Sequence, residues 1–299
     1  FFKQKTAYEI STRDWSSDVC SSDLSAQNSI LNGGIEDREH IYRRESAMDR
    51  KVVPYPPLRE ADVMWSKRIW RAIDLHEKIN APLRFPLADG SGASSSRDRK
   101  NLILTLIDAV KEGSVTAYSA IDDQFTMPLT ATEFSKVISG DSVHIESRPD
   151  PDNPDYIVMI DSVEPFNSDR VTRYNMEEEW FFDKQRSVMD VRIIGICPVI
   201  EVKKEGLDEK LTKPLFWIYF PEGRSALVHS EVGNRYNSSQ RLTFDDIFMK
   251  RMFNSFITKE ENIYDRSIEV YRTTPVDRLL EAEKIKQEMV NFEIGLWDY

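Results

Sequence analysis

Cysteine is almost missing from this chain of 299 residues: Cys20 and Cys197 are the only two. Cys20 falls in residues 1–24, which show neither helical nor strand period. Cys197 is then alone, so no internal disulfide can form and the compartment is not indicated. Histidine is also scarce. His40, His76, His144 and His229 are scattered, with no H-E-x-x-H spacing and no partner cysteine, which removes the usual zinc patterns. No glycine-rich phosphate loop and no G-x-S-x-G elbow occurs, and Gly90-Ser91-Gly92 reads as linker. No apolar run approaches the roughly 20 residues of a membrane helix; the longest, residues 193–200, is broken by Gly195 and Pro198. Basic residues are outnumbered, 40 against 51. An acidic chain is a poor partner for nucleic acid or anionic lipid, both of which need clustered Lys and Arg.

Residues 1–24 stand apart. They hold a near-repeat, Ser16-Ser17-Asp18-Val19-Cys20 and Ser21-Ser22-Asp23-Leu24, and lack the basic start and apolar run of a signal peptide. The string from Lys3 to Trp15 resembles a translated sequencing adapter, so these residues are read as artefact. Without their three bases and four acids, 37 bases face 47 acids, a net charge of −10. Residues 25–50 read as a flexible lead segment. Residues 51–299 read as one large domain, with a division into lobes 51–165 and 166–299 left open.

The most strongly patterned stretch is 173–198. In its first arm Tyr174, Met176, Trp180 and Phe182 share one parity, and Arg173, Asn175, Glu177 and Glu179 the other. Met189, Val191, Ile193 and Cys197 repeat the pattern in the second arm. Period two is the signature of a strand with one dry and one wet face. The polar Asp183-Lys184-Gln185-Arg186 suits a four-residue loop on a type I turn, so a long antiparallel hairpin is predicted.

Around it the spacing predicts a helix over 58–79, with Ala61, Trp65, Ile69, Ala72, Ile73, His76 and Ile79 as its stripe. A second helix is predicted over 98–112, stopped by Gly113, followed by a short strand at 115–118. Thr130-Ala131-Thr132-Glu133 is a capping box opening a helix that ends at Gly140. Residues 143–146 and 156–163 read as a hairpin. Residues 215–220 read as a central strand bracketed by Pro214 and Pro221. Thr243 caps a helix with the stripe Phe244, Phe248, Met252 and Phe256. An edge strand is expected at 267–271. Thr274-Pro275 opens a last helix with Leu279, Ala282, Ile285, Met289, Phe292 and Leu296 in line. The fold class is α+β: an antiparallel sheet built on the long hairpin, packed by N-terminal, middle and C-terminal helices.

Little here points to chemistry. Glu177-Glu178-Glu179 offers carboxylates, yet on a strand Glu177 and Glu179 share the wet face and read as a solvated edge. Asp245 and Asp246 suit the start of a helix as well as a metal, and residues 150–155 lack the glycine and distal Glu of a calcium loop. His76 reads as a core or interface histidine, and Cys197 as a packed, inert thiol. No catalytic residue, metal or cofactor is assigned. Trp65, Trp70, Trp180, Trp217 and Trp297 fill a core or face a partner, where aromatic residues concentrate. Lys184 and Arg186 at the hairpin tip, Glu177 and Glu179 on its wet face, and Trp65 and Trp70 are the candidate partner interface.

Several blocks together resemble the GldN family (PorN in some relatives). They are Tyr55 to Arg68, Phe125-Thr126-Met127-Pro128-Leu129, Trp180 to Ile196, Pro214 to Pro221, Thr243 to Phe248 with Lys250-Arg251, and Tyr264-Asp265-Arg266. The resemblance implies a component of the gliding-motility and type IX secretion machinery, exported to the periplasm. It further implies assembly with the lipoprotein GldK into a ring under the outer membrane, and contact with the motor component GldM. Membrane association is then indirect, through the lipoprotein. The alternatives are a periplasmic hydrolase using Glu177, Glu179 or Asp245, and a small-ligand binding module using acidic residues.

Overall fold

The computed structural model describes residues 50–87, 99–139, 166–203, 210–234, 237 and 239–296, with the backbone path of 143–149 and 157–163. Residues 1–49, including His40, and Trp297 lie outside the described residues. In chain order the elements are β1 (Val63–Asp74), α1 (Ala81–Arg84), α2 (Leu102–Lys111), β2 (Ala117–Ser119), α3 (Ala131–Ser139), β3 (Val143–Pro149) and β4 (Ile157–Val163). Next come β5 (Val171–Asp183), β6 (Val188–Lys203), β7 (Lys210–Pro214), β8 (Phe216–Tyr219), α4 (Phe220–His229), β9 (Glu231–Val232) and β10 (Leu242–Thr243). The chain continues with α5 (Phe244–Met249), β11 (Phe256–Glu260), α6 (Ile268–Tyr271) and α7 (Pro275–Gly295).

β5 and β6 are the predicted hairpin, longer than the sequence pattern showed. Their register runs from Val171↔Ile200 to Asp183↔Val188. The loop is Lys184–Ser187 rather than 183–186, because Ser187 takes a positive φ of 52° and closes the turn. The hairpin sits in the middle of a seven-stranded antiparallel sheet, ordered β11-β1-β5-β6-β8-β2, with β7 also on β6. β3 and β4 pair as a separate hairpin, where the 143–146 and 156–163 pattern placed one. The fold is α+β.

The largest correction concerns residues 58–79. They form no α-helix, and only short 3-10 turns at Glu60–Asp62 and Lys78–Asn80 flank the strand: β1 pairs with β5 over eleven positions and with β11 on its other side. Cross-strand partners point to the same face, so Trp65, Lys67, Ile69, Arg71 and Ile73 share one face with Phe182, Trp180, Glu178, Met176 and Tyr174. Two of those five β1 residues are cations, which hides the alternation in the sequence. They are satisfied there: Lys67 Nζ reaches Glu260 at 2.6 Å, and Arg71 Nε donates to Ser255 Oγ at 2.8 Å. His76 lies beyond the strand, exposed, 2.8 Å from Asp74.

The face bearing Tyr174 and Met176 is packed by two clusters. The larger joins Ile73, Tyr174, Met176, Ile193, Ile196, Phe216 and Ile218 of the sheet to Leu102, Ile103 and Leu106 of α2, Leu227 of α4, and Phe244 and Phe248 of α5. Burying each such side chain is worth about 1.5–3 kcal/mol. α2 starts at Asn101, whose side chain accepts from Leu104 N–H, and Gly113 follows it at a φ of 74°. The second cluster sets Ala282, Ile285 and Met289 of α7 against Ile69, Ile257 and Ile268. Leu279 of the predicted stripe is instead 56% exposed, and Phe292 stacks on Trp65 at 4.9 Å.

Local signals fared well. The boxes at Thr130 and Thr243 are formed, and Thr274 Oγ1 accepts from Asp277 N–H ahead of Pro275 at the helix start. The central strand ends at Tyr219, and Phe220-Pro221 opens a helix the pattern had missed. Proline in a first turn was the available signal. The edge strand expected at 267–271 is the one-turn helix α6, and Phe256 belongs to β11 rather than to the Thr243 helix.

Candidate functional site

The glutamate run sits where it was not expected. β5 is an interior strand, flanked by β1 and β6, so Glu177-Glu178-Glu179 is no solvated edge. Glu177 and Glu178 are both fully buried, and Glu179 is half-buried. Alternation sends them to opposite faces, and each meets a different environment.

Glu178 lies on the helix-covered face. It accepts from Arg251 Nη2 at 3.2 Å and from Trp180 Nε1 at 3.1 Å. Arg251 Nη1 sits 2.8 Å from its other oxygen as an ion-pair contact off the hydrogen-bond line, and Arg71 Nη1 stands at 4.0 Å. Arg251 holds a φ of 52° and its guanidinium lies over Trp180 and Phe253. Burial pushes Arg71 below the usual guanidinium range, with Glu178 acting against that shift. Two cations around one carboxylate in a dry site make a structural ion-pair hub.

Glu177 lies on the opposite face, beside Trp70 of β1 and Gly195 of β6. Among the described residues its hydrogen-bond partner is Arg68 Nη1 at 3.4 Å, and its Oε2 is buried with no such partner. Burial pushes its carboxyl from 4.5 up to about 7; Arg68 opposes this, and Asp123 and Glu179 add to it. A carboxyl with a raised folded-state value holds its proton better when folded, so stability falls as pH rises from about 4.5 to about 7. Glu177→Gln removes the titration and keeps the shape. Its stability relative to the parent is expected to be higher at pH 8 than at pH 4, by up to about 3 kcal/mol. Urea unfolding at both pH values measures this, and a difference that does not change with pH contradicts it.

Next to Glu177 the sheet carries an aromatic group that sequence reasoning did not assemble. Phe125, at a φ of 59°, packs edge-on against Tyr118 at 5.4 Å, Tyr219 at 5.6 Å and Trp217 at 6.2 Å. Asp122 fixes the loop by accepting from the backbone N–H groups of Gln124, Thr126 and Met127. The ring lies directly on Gly195, where a Cβ would stand 2.4 Å from Phe125 Cζ. Only glycine admits that approach. A bulge at Ile194, where the β6 register steps from Gly195 to Ile193, sets Gly195 there.

Among the tryptophans of the candidate interface, Trp65 lies under Phe292 of α7. Trp70 carries the Lys259 ammonium 4.2 Å above its ring, and its Nε1 is buried without a hydrogen-bond partner among the described residues. They are on opposite faces of β1. Glu177, Glu179 and Trp70 share a face, whereas Lys184 and Arg186 stand at the tip, roughly 20 Å along the strand at about 3.3 Å per residue. At that tip Arg186 is committed: its Nε donates to Asp183 Oδ2 at 2.7 Å, and Nη2 reaches Asp190 at 3.4 Å. The Arg186 hydrogen bond in turn holds the Asp183 carboxyl below its ordinary range. Lys184 is exposed; its backbone N–H donates to Asp62 O at 2.8 Å, and its ammonium has no partner among the described residues.

The remaining acids are spent on structure. Asp245 is buried and accepts from Arg224 Nε at 2.7 Å and Nη2 at 3.1 Å, and the Arg224 guanidinium lies 4.7 Å from the Tyr55 ring centre. Asp246 closes the Thr243 cap and pairs with Arg50 and Lys250, each at 2.9 Å. Cys197 is fully buried, and burial pushes its thiol up to about 12, which fits a packed thiol and not a nucleophile. Among the described residues no group of three His, Cys, Asp or Glu side chains could hold a metal ion. No helix among them is long and apolar enough to cross a membrane.

Comparison with known proteins finds similarity to a curated relative and to a family model. One relative, the small ribosomal subunit protein mS81 (rPPR8) of Arabidopsis thaliana, is 26% identical over 128 residues. That match covers 43% of this chain but 19% of the relative, and nothing about function is carried over from it. The other is a family model described as gliding motility associated protein GldN, matched over residues 58–298. That span takes in the whole seven-stranded sheet, the glutamate run at its centre and the aromatic group on Gly195. The chain belongs to the GldN family of gliding-motility and type IX secretion components.

Proposed function

We propose that this chain is a non-enzymatic scaffold subunit of the secretion and gliding machinery. In this reading it resides in the periplasm and assembles with a GldK-like lipoprotein into a ring at the outer membrane. It touches the membrane only through that lipoprotein and meets a GldM-like motor component. The observation that carries the reading is the family match over residues 58–298. The side chains support it. Of the acids offered for hydrolysis, Asp245 is locked to Arg224, and Glu177 and Glu179 face a pleat shared with Trp70 and Arg68. Self-association has apolar surface to use: Val276, Leu279 and Leu280 of α7 are 66, 56 and 64% exposed.

The hairpin tip is the contact point in this reading, and Lys184 its freest charge; Glu177, being buried, supports the sheet and does not touch a partner. Purified chain is expected to be retained by an immobilised GldK-like lipoprotein freed of its lipid anchor. Lys184→Glu should weaken that retention about two- to fivefold, the scale of a rim charge. Unchanged retention removes the tip from the interface. No retention of the parent chain overturns the reading.

A further inference from the structure

Beyond the assembly role, one surface feature has the make-up of a ligand site. A groove of about 610 Å³ opens where α1 and the turn before it meet α5 and the β9–β10 hairpin. Its walls are apolar: Ile79, Pro82, Phe85, Leu242, Ile247 and Met252. Three of these are unusually open for their type, Ile79 at 54%, Phe85 at 50% and Met252 at 45% exposed. Among the described residues that line it, the charged ones are Lys78 and Arg99. Lys78 forms no ion pair or hydrogen bond with the described residues, so its charge is available to a ligand.

Small-ligand sites hold about 300–1,000 Å³ and join an apolar lining to a few polar groups that fix orientation. From the groove we infer that it binds a single-chain amphiphile with an anionic head. The tail would lie on Ile79, Phe85 and Met252, and the head against Lys78. Apolar burial then supplies affinity, and the Lys78 ammonium selects the sign of the head group. A free fatty acid and a lysophospholipid share this chemistry.

The test is calorimetric titration of the full chain, below micelle-forming concentrations. The probes are decanoate, lysophosphatidylglycerol with a ten-carbon chain, and decyltrimethylammonium. Saturable binding of one anionic amphiphile per chain is expected, with the cationic one about two- to fivefold weaker. Lys78→Glu should weaken anion binding about two- to fivefold. Ile79→Glu, which places a carboxylate on the apolar wall at an exposed position, should weaken it more than about tenfold. Unchanged thermal melting shows that both variants fold. Tighter decanoate binding assigns a free fatty acid, and tighter lysophosphatidylglycerol binding a one-chain phospholipid. The inference is overturned if neither anion saturates, or if binding ignores head-group charge and both substitutions.

Discussion

Replacing Glu178 with alanine is expected to cost about 3–5 kcal/mol of folding free energy, the scale for breaking a buried ion pair from one side. The loss has three sources. Arg71, with its side chain 11% exposed, and Arg251, at 31%, lose the carboxylate they face. Trp180 Nε1 loses its acceptor. The removed side chain also leaves a void in the packing between β5 and the helices. Glu179, one residue on, has no ion pair among the described residues and is half-buried, so Glu179→Ala should change stability by no more than about 0.5 kcal/mol. Urea unfolding at neutral pH compares the two variants directly. Similar losses would show that Glu178 is not the hub its contacts describe.

The second large effect is expected at Arg224. Arg224→Met leaves Asp245 as an unpaired buried carboxylate, 6% exposed, and should cost about 3–5 kcal/mol. Removing both charges at once, Arg224→Met with Asp245→Leu, should recover most of that loss, because a buried pair offsets its own desolvation only narrowly. The pair also anchors a neighbour. Tyr55 lies between the guanidinium groups of Arg224 and Arg192, at 4.7 and 5.1 Å, and Arg192 donates to Pro56 O at 2.6 Å. The proline-rich segment ahead of β1 is thereby tied to α4 and β6. Thermal unfolding of the single and double variants measures this, and a double variant as unstable as Arg224→Met contradicts it.

How much of this was legible depended on how local the cause was. The hairpin announced itself because Tyr174 and Met176 oppose Arg173 and Asn175 in strict alternation over many residues. The caps at Thr130, Thr243 and Thr274 are decided within four residues, and all three formed. β1 was hidden by accident of spacing: Trp65, Ile69 and Ile73, four apart, fit a helical stripe as well as one face of a strand, and Ala72, which faces the other way in β1, completes the helical pattern. Pairing with β5 and β11 settled the matter, and no property of residues 63–74 alone could. The same holds for the glutamates. Parity separates Glu177 from Glu178 but cannot say that both faces are covered. The cations that make Glu178 tolerable come from β1 and from the segment after α5, and the Arg251 partner is 73 residues away. The Phe125–Gly195 contact needs the bulge at Ile194, which a single strand does not show. The apolar groove joins residues from 78 to 252 and had no compact signature.

Assembly is the central proposal, and mass under native conditions tests it most directly. The full chain would be measured by native mass spectrometry alone and after mixing with a GldK-like lipoprotein lacking its lipid anchor. Species larger than one chain, growing into a defined complex when the lipoprotein is added, are the expected result. A strict monomer in both samples would contradict the scaffold reading.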